Sequence, residues 1–187
     1  VIFGLVTYAT KGVSFGAIEP AIPKMIIPKV NGFPTIILWA VAAIVIVWFI
    51  WNKTTFGKNL YAVGGNPEAA AVSGISVFGV TMGAFILAGI LYGFGSWLEC
   101  ARMVGSGSAA YGQGWEMDAI AACVVGGVSF TGGIGKISGV VVGVLIFTVL
   151  IYSLTILGID TNLQFVFEGI IIITAVTLDC LKYVQKK

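Results

Sequence analysis

Four long stretches of this sequence lack charged residues, and they limit the folds open to the chain more than any other feature. No Lys, Arg, Asp or Glu lies between Lys29 and Lys53, between Glu68 and Glu99, between Asp118 and Lys136, or between Lys136 and Asp160. A helix needs about 20 predominantly apolar residues to cross about 30 Å of hydrocarbon. The chain is also 58% apolar and only 10% charged. The sequence therefore predicts an all-α membrane protein, a polytopic bundle with four to five membrane segments.

The charge-free stretches predict the position of each membrane segment: 34–51, 77–98, 119–130, 137–157 and 163–178. The segment 119–130 is short for a crossing and is flanked by Gly-Gly pairs. It is therefore expected to be a broken or re-entrant helix whose free backbone groups are covered by protein. Residues 1–8 are expected to be the tail of a truncated helix, and residues 11–33, with three lysines and three prolines, a loop.

Basic residues indicate the direction of insertion, because cytoplasmic loops carry an excess of Lys and Arg. Six of the ten are predicted on the cytoplasmic side, which also places the C-terminus there: Lys53, Lys58, Lys136, Lys182, Lys186 and Lys187. The net charge of +2, without a long basic run, argues against a nucleic-acid partner. Lipid is the expected surrounding of the segments.

Several kinds of chemistry lack their residues in this chain. There is no histidine, so no histidine-dependent catalytic or metal site is predicted. The stretch GGIGKIS does not match a phosphate-binding loop, which would need glycine at Phe130 and Ser or Thr at Ile137. Glu116 and Asp118 are either a solvated loop pair or an acid–base or cation-holding pair. Glu168, near the start of the last segment, has either a transport role or one in packing or interfacial solvation.

Glycines four residues apart predict close helix packing. They lie on shared helical faces: Gly79 with Gly83, Gly89 with Gly93, and Gly135 with Gly139 and Gly143. Small faces let backbones approach in lipid, where burial of apolar side chains between helices contributes little.

Residues 66–76 predict a short helix between two membrane segments on the cytoplasmic side. Asn66 suits the N-cap, Pro67 the first helical position and Glu68 the positive end of the helix dipole. Gly74 can end the helix. Such an alanine-rich projection can either fit a groove on another protein or lie as an interfacial helix.

Three stretches give the chain a family resemblance: FGKNLYAVGGNPEAAAVSGI, EMDAIAACVVGGVSFTGGIGKISG and FEGIIIITAVTLDCLKY. From about Asn52 onward, the chain resembles the membrane permeases of bacterial ATP-driven (ABC) sugar importers, the group that includes ribose and galactose/methyl-galactoside transporters. DAIAACVVGGVSF and LDCLKYVQKK resemble most the galactose/methyl-galactoside branch. Residues 1–51 match only in hydropathy, and Glu168 stands where a lysine or neutral polar residue is expected.

The resemblance implies that residues 1–187 are the C-terminal part of one permease domain of about ten helices in the bacterial cytoplasmic (inner) membrane. It implies a dimer with a second permease copy, two ATPase subunits that hold ATP and magnesium, and an extracytoplasmic sugar-binding protein. No cofactor and no ATPase site are expected on this chain. The alternative is an ion-coupled or facilitative secondary carrier, and a structural scaffold is ranked last.

The resemblance also implies roles for particular residues. The coupling helix, which would contact the ATPase, is expected to use Asn66, Pro67, Glu68, Ala69, Ala70, Ser73, Gly74 and Ile75. Residues on the pathway or facing the receptor are expected to be Glu116, Asp118, Gly126 and Gly127. No catalytic residue and no metal ligand is implied.

Overall fold

The computed structural model describes residues 2–13, 23, 26, 28–30, 33–103, 107–108 and 111–184. These residues form eight helices and one short strand pair: α1 Ile2–Thr10, β1 Lys29–Val30, β2 Phe33–Pro34, α2 Ile36–Lys53, α3 Thr55–Gly65, α4 Pro67–Val72, α5 Val77–Arg102, α6 Trp115–Val125, α7 Ile137–Ile156 and α8 Thr161–Val184. The strands pair antiparallel within the predicted loop 11–33 and its edge. Residues 14–22 of that loop lie outside the described residues.

Among the described residues, three helices are long and apolar enough to cross a membrane: α2, α5 and α7. A shorter apolar stretch, Asn162–Thr177, lies within α8. The chain is therefore a polytopic all-α membrane protein, which confirms the fold class predicted from the charge-free stretches. Helix α5 runs on to Arg102, so Glu99, which lies just beyond the predicted segment 77–98, is in the last turns of the helix.

Helix α6 is much shorter than the other apolar helices and is shifted from its predicted position at 119–130. Its 11 residues span about 16 Å, roughly half of the hydrocarbon layer. The helix starts after Gly114 and ends before Gly126. Gly127, at φ +81°, supplies the left-handed residue after the helix, and its N–H donates to the Val124 carbonyl. Residues 128–136 then form a loop, of which the sequence had included residues 128–130 in the predicted segment 119–130.

The chain divides into two compact units. The first contains residues Val1–Ile46 and Thr81–Gln113, and the second contains Val47–Val80 and Gly114–Lys187. In the first unit, the rings of Trp39, Phe94 and Trp97 pack together with centroids 5.9 to 6.3 Å apart. The same unit holds a polar cluster in which Glu99 accepts hydrogen bonds from Arg102 and from the Tyr111 hydroxyl.

The second unit has its core where α6 meets α7 and α8. Ala121, Ala122 and Phe147 are buried there, with Ile151, Ile171 and Ile172 packed against them. The buried residues from α6 are alanines, so the helix backbones approach closely. The small α6 residues thus give the short helix a packed position between two longer helices.

Candidate functional site

Two tight turns connect membrane helix α2 to the short helix α4, one between α2 and α3 and one between α3 and α4. Thr54 alone separates α2 from α3, and its hydroxyl accepts a hydrogen bond from the Gly57 N–H at 3.3 Å. Gly57 is buried so close to the Trp51 carbonyl that a Cβ would collide with it. Helix α3, which lies between the predicted elements 34–51 and 66–76, therefore follows α2 through a corner that only glycine at 57 fits.

Helix α4 has the caps that the sequence predicted. The Asn66 side chain accepts a hydrogen bond from the Ala69 N–H at 3.0 Å, and Pro67 stands in the first turn with Glu68. At the other end, Gly74 has φ +81°. The N–H of Ile75 donates to the Ala70 carbonyl at 3.0 Å. A helix of only six residues is thus closed at both ends by its own sequence.

The exposed face of α4 differs from the predicted contact set at Ala70 and at Val72. Ala70 is only 4% exposed and therefore faces the chain itself. Pro67, Glu68 and Ala69 are exposed, and Val72 is 92% exposed. Helix α4 therefore presents an apolar side chain that is almost fully exposed. Val72 was missed because the motif quoted from the family gave no information on which alanines turn inward.

Two carboxyl groups that are 50 positions apart in sequence meet in the second unit. Glu168 of α8 is 5% exposed and faces the carboxyl group of Asp118 in the first turn of α6. The Oδ1 atom of Asp118 is buried without a hydrogen-bond partner. Glu116, in contrast, is exposed and accepts a hydrogen bond from the Gly114 N–H. Asp118 is therefore not half of a solvated loop pair, and Glu168 packs against it away from solvent.

The C-terminal half of α6 contacts α7 through glycines. A Cβ at Gly126 would lie 2.5 Å from the Gly139 carbonyl oxygen, and one at Gly143 would lie 2.6 Å from the Gly126 nitrogen. This confirms the close packing predicted for the face with Gly139 and Gly143. The faces with Gly89 and Gly93 on α5 have open space around them in the described residues.

The loop 128–136, together with Gly126 and Gly127, is called the glycine loop here. It contacts α3 directly: a Cβ at Gly64 would lie 2.7 Å from the Gly133 nitrogen, and the Tyr61 hydroxyl donates to the Gly135 carbonyl at 2.8 Å. Gly126 and Gly127 thus lie at the end of α6 whose loop meets α3. Glu116 and Asp118 lie at its other end, about 15 Å away along the helix axis.

A cavity of about 420 Å³ lies beside this contact, lined by Tyr61, Lys136, Ser138 and the loop glycines. Within the part of the chain that the structure describes, no group of three or more His, Cys, Asp or Glu residues could hold a metal ion. The features that the described residues do show at this site are helix contacts. The candidate site consists of the capped helix α4, the turn at Gly57 between α2 and α3, and the short helix α6.

These features belong to a polytopic all-α membrane protein. The family described as "Branched-chain amino acid transport system / permease component" matches residues 1–176. The chain belongs to this permease family. No solved structure matches it significantly.

Curated relatives narrow the similarity to sugar permeases. The chain is 55% identical to the galactose/methyl galactoside import permease protein of Treponema pallidum, over 100% of this chain and 36% of that protein. It is 53% identical to the protein of the same name in Escherichia coli, over 81% of this chain and 45% of that protein. The ribose import permease protein of Bacillus subtilis is 42% identical, over 79% of this chain and 46% of that protein.

These identities confirm the resemblance to sugar permeases and its closeness to galactose/methyl-galactoside proteins. They also correct its extent: the Treponema match covers residues 1–51 as well, which the sequence analysis had matched only in hydropathy. The chain spans less than half the length of these relatives.

Proposed function

We propose that this chain is part of the membrane-spanning permease of an ATP-binding-cassette importer for a monosaccharide, of the galactose/methyl-galactoside type. Transport proceeds by alternating access, driven by a partner ATPase. The observation that carries the proposal is α4: a capped, projecting helix in a family of permease components. A secondary carrier has no need for such a helix.

The proposal includes the partners and the orientation. Two permease copies bind two ATPase subunits, which hold ATP and magnesium, while an extracytoplasmic sugar-binding protein docks on the opposite side. The C-terminus faces the cytoplasm of a bacterial inner membrane. The basic residues support this side, because Lys53 and Lys58 flank the corner that leads to α4.

Helix α4 is the proposed coupling helix, and its exposed residues contact the ATPase. Glu68 and Val72 form the outward face, a charge beside an apolar knob. Asn66, Ser73 and Gly74 act by holding the helix ends, since the Ser73 hydroxyl donates to the Ala69 carbonyl at 2.9 Å. Ala70 acts from inside by packing against the chain. A rigid projection loses little conformational entropy on binding.

The end of the proposed transport pathway that faces the sugar-binding protein begins at α6. Glu116 and Asp118 lie in its first turn, and Glu116 is exposed. Since α6 ends about halfway through the hydrocarbon, its other end, with Gly126 and Gly127, lies in the membrane interior and leads back to α3.

The test is co-purification of the complete gene product that carries this chain with its candidate ATPase subunit. The variant Glu68→Arg with Val72→Asp changes the charge and polarity of the exposed face and leaves Ala70 in place. It is expected to insert normally and to lose the ATPase, because a buried unpaired charge opposes docking. The matched control, Glu68→Asp with Val72→Ile, keeps both charge and apolarity and should retain the ATPase.

Either of two results would refute the coupling assignment. One is that the wild-type protein binds no ATPase subunit in detergent or nanodiscs. The other is that the charge-reversing variant binds it as well as the control does. Sugar flux into liposomes without any ATPase would instead support a secondary carrier.

A further inference from the structure

Helices α3 and α4 are joined by a single residue, Asn66. The Asn66 N–H donates to the Ala62 carbonyl at 3.0 Å at the end of α3, while the Asn66 side chain caps α4. Ala70 packs inward from α4. The junction between the two helices is thus hydrogen-bonded through both the backbone and the side chain of Asn66.

The contact from α3 onward to the glycine loop is between backbones. A Cβ at Gly132 would lie 2.5 Å from the Gly64 oxygen, and one at Gly133 would lie 2.6 Å from the Gly65 Cα. Contacts between side chains can relax by rotamer changes, whereas two backbones in contact can only move together or separate. The hydrogen bond from Tyr61 to the Gly135 carbonyl adds a directional tie.

The glycine loop has hydrogen bonds within itself and a contact to α7. The Ser129 N–H donates to the Ile134 carbonyl at 3.0 Å, and the Ser129 and Thr131 hydroxyls are 2.8 Å apart. At the start of the glycine loop, Gly126 contacts the backbone of α7 at Gly139. The loop therefore connects α3 to the packed end of α6 and to α7 through close backbone contacts.

We propose that Tyr61 and Gly64 form a transmission contact with the glycine loop, through which movement of α4 is passed to α6 and α7. The inference rests on the proposed function, because it takes ATPase closure as the source of the movement. The other end of α6 carries Asp118, which faces Glu168 of α8. Through this contact, movement of the coupling helix α4 reaches α6 and the buried carboxyl pair of Asp118 and Glu168. Tyr61 and Gly64 are positioning residues, since they touch neither sugar nor ATP.

Adjacent glycines provide a matched pair of variants. Gly64→Ala would place a Cβ 2.7 Å from the Gly133 nitrogen, whereas Gly65→Ala meets nothing within 4 Å. Both add one methyl group at the end of the same helix. Tyr61→Phe removes only the hydroxyl that reaches Gly135 and keeps the ring.

The experiment uses the complete gene product with its ATPase and sugar-binding protein in proteoliposomes, and measures sugar imported per ATP hydrolysed together with ATPase co-purification. We expect Gly64→Ala to retain the ATPase and its hydrolysis but to lower sugar imported per ATP about tenfold, within the usual range of coupling between sites. Tyr61→Phe should lower the ratio about fivefold, at the lower end of that range. Gly65→Ala should keep the wild-type ratio.

A wild-type ratio in both Gly64→Ala and Tyr61→Phe would overturn the proposal. Loss of the ATPase from both variants would also overturn it, because the contact would then only support folding of α4. If Gly64→Ala fails to insert, Tyr61→Phe decides alone. Failure of the proposed function is distinguishable, since in that case the wild-type protein itself binds no ATPase.

Discussion

The substitution Gly143→Ala tests how tightly α6 packs on α7. Gly143 is buried in α7. An added Cβ would lie 2.6 Å from the Gly126 nitrogen, 2.7 Å from its Cα, and closer still to the Ala122 carbonyl oxygen. All three are backbone atoms, so no side chain can turn away to make room.

The structure gives the expected size of the effect. Real Cβ atoms are essentially never closer than 3.0 Å to other heavy atoms, so the two helices must move apart. Overpacking of this kind costs about 1–3 kcal/mol, and the rigid neighbours favour the upper end. Replacing glycine by alanine inside a helix returns about 0.5–1 kcal/mol. The free energy of unfolding should therefore fall by about 1–2 kcal/mol.

A control isolates the clash from the helix propensity. Gly169, in α8 of the same unit, has nothing within 4 Å of its would-be Cβ. Gly169→Ala should be neutral or raise stability by up to about 1 kcal/mol. The two variants should thus differ by about 2 kcal/mol, or about 4–8 °C in melting temperature on the scale of domains of this size.

Cys123 provides a local assay, because it is a partly buried free thiol on α6 next to the alanines of the core. With Cys100 and Cys180 replaced by serine, and any other thiol of the complete gene product removed as well, a maleimide dye reacts as Cys123 becomes accessible on heating. Gly143→Ala should shift this reaction to lower temperature. If Gly143→Ala reacts at the same temperature as Gly169→Ala, the tight α6–α7 contact is refuted.

Two further predictions concern carboxyl groups. Glu168→Gln gives Asp118 an amide donor for its unpartnered oxygen, so the free energy of unfolding should rise by about 0.5–1.5 kcal/mol. The control Glu116→Gln, at an exposed position, should change the melting temperature little. A lower melting temperature for Glu168→Gln would contradict the pairing. The hydrogen bond to Glu99 raises the pKa of the Tyr111 hydroxyl. The contact therefore stabilises the folded protein below the ordinary tyrosine pKa of about 10, and this stabilisation is lost as pH rises through the raised pKa. The difference in tyrosinate absorbance between the wild type and Tyr111→Phe should show that Tyr111 titrates above the ordinary tyrosine pKa. Titration of Tyr111 at or below that pKa would refute the contact with Glu99.

The sequence by itself determined the features that depend on local chemistry. Charge-free length predicted α2, α5 and α7 because a membrane helix is defined by its own apolar residues. Asn66, Pro67 and Gly74 predicted the ends of α4, since capping is a contact between neighbours in sequence. The motifs also predicted the family, which the relatives confirm.

Other features could not be predicted because they depend on residues far apart in the chain. Three alanines in a row look alike in sequence, and only packing shows that Ala70 turns inward while Val72 projects. Helix α3 was missed because its apolar residues are interrupted by lysine and glycine, and its position follows from the corner at Gly57.

The tertiary structure alone decided which glycines are contacts and which carboxylates meet. Gly64 and Gly65 are neighbours of the same type, but only Gly64 has the backbone of Gly133 where its side chain would be. Asp118 and Glu168 are 50 positions apart and meet because α6 packs against α8. Helix spacing in sequence tells which residues share a face, whereas the partner of that face is chosen by the packing of the whole unit.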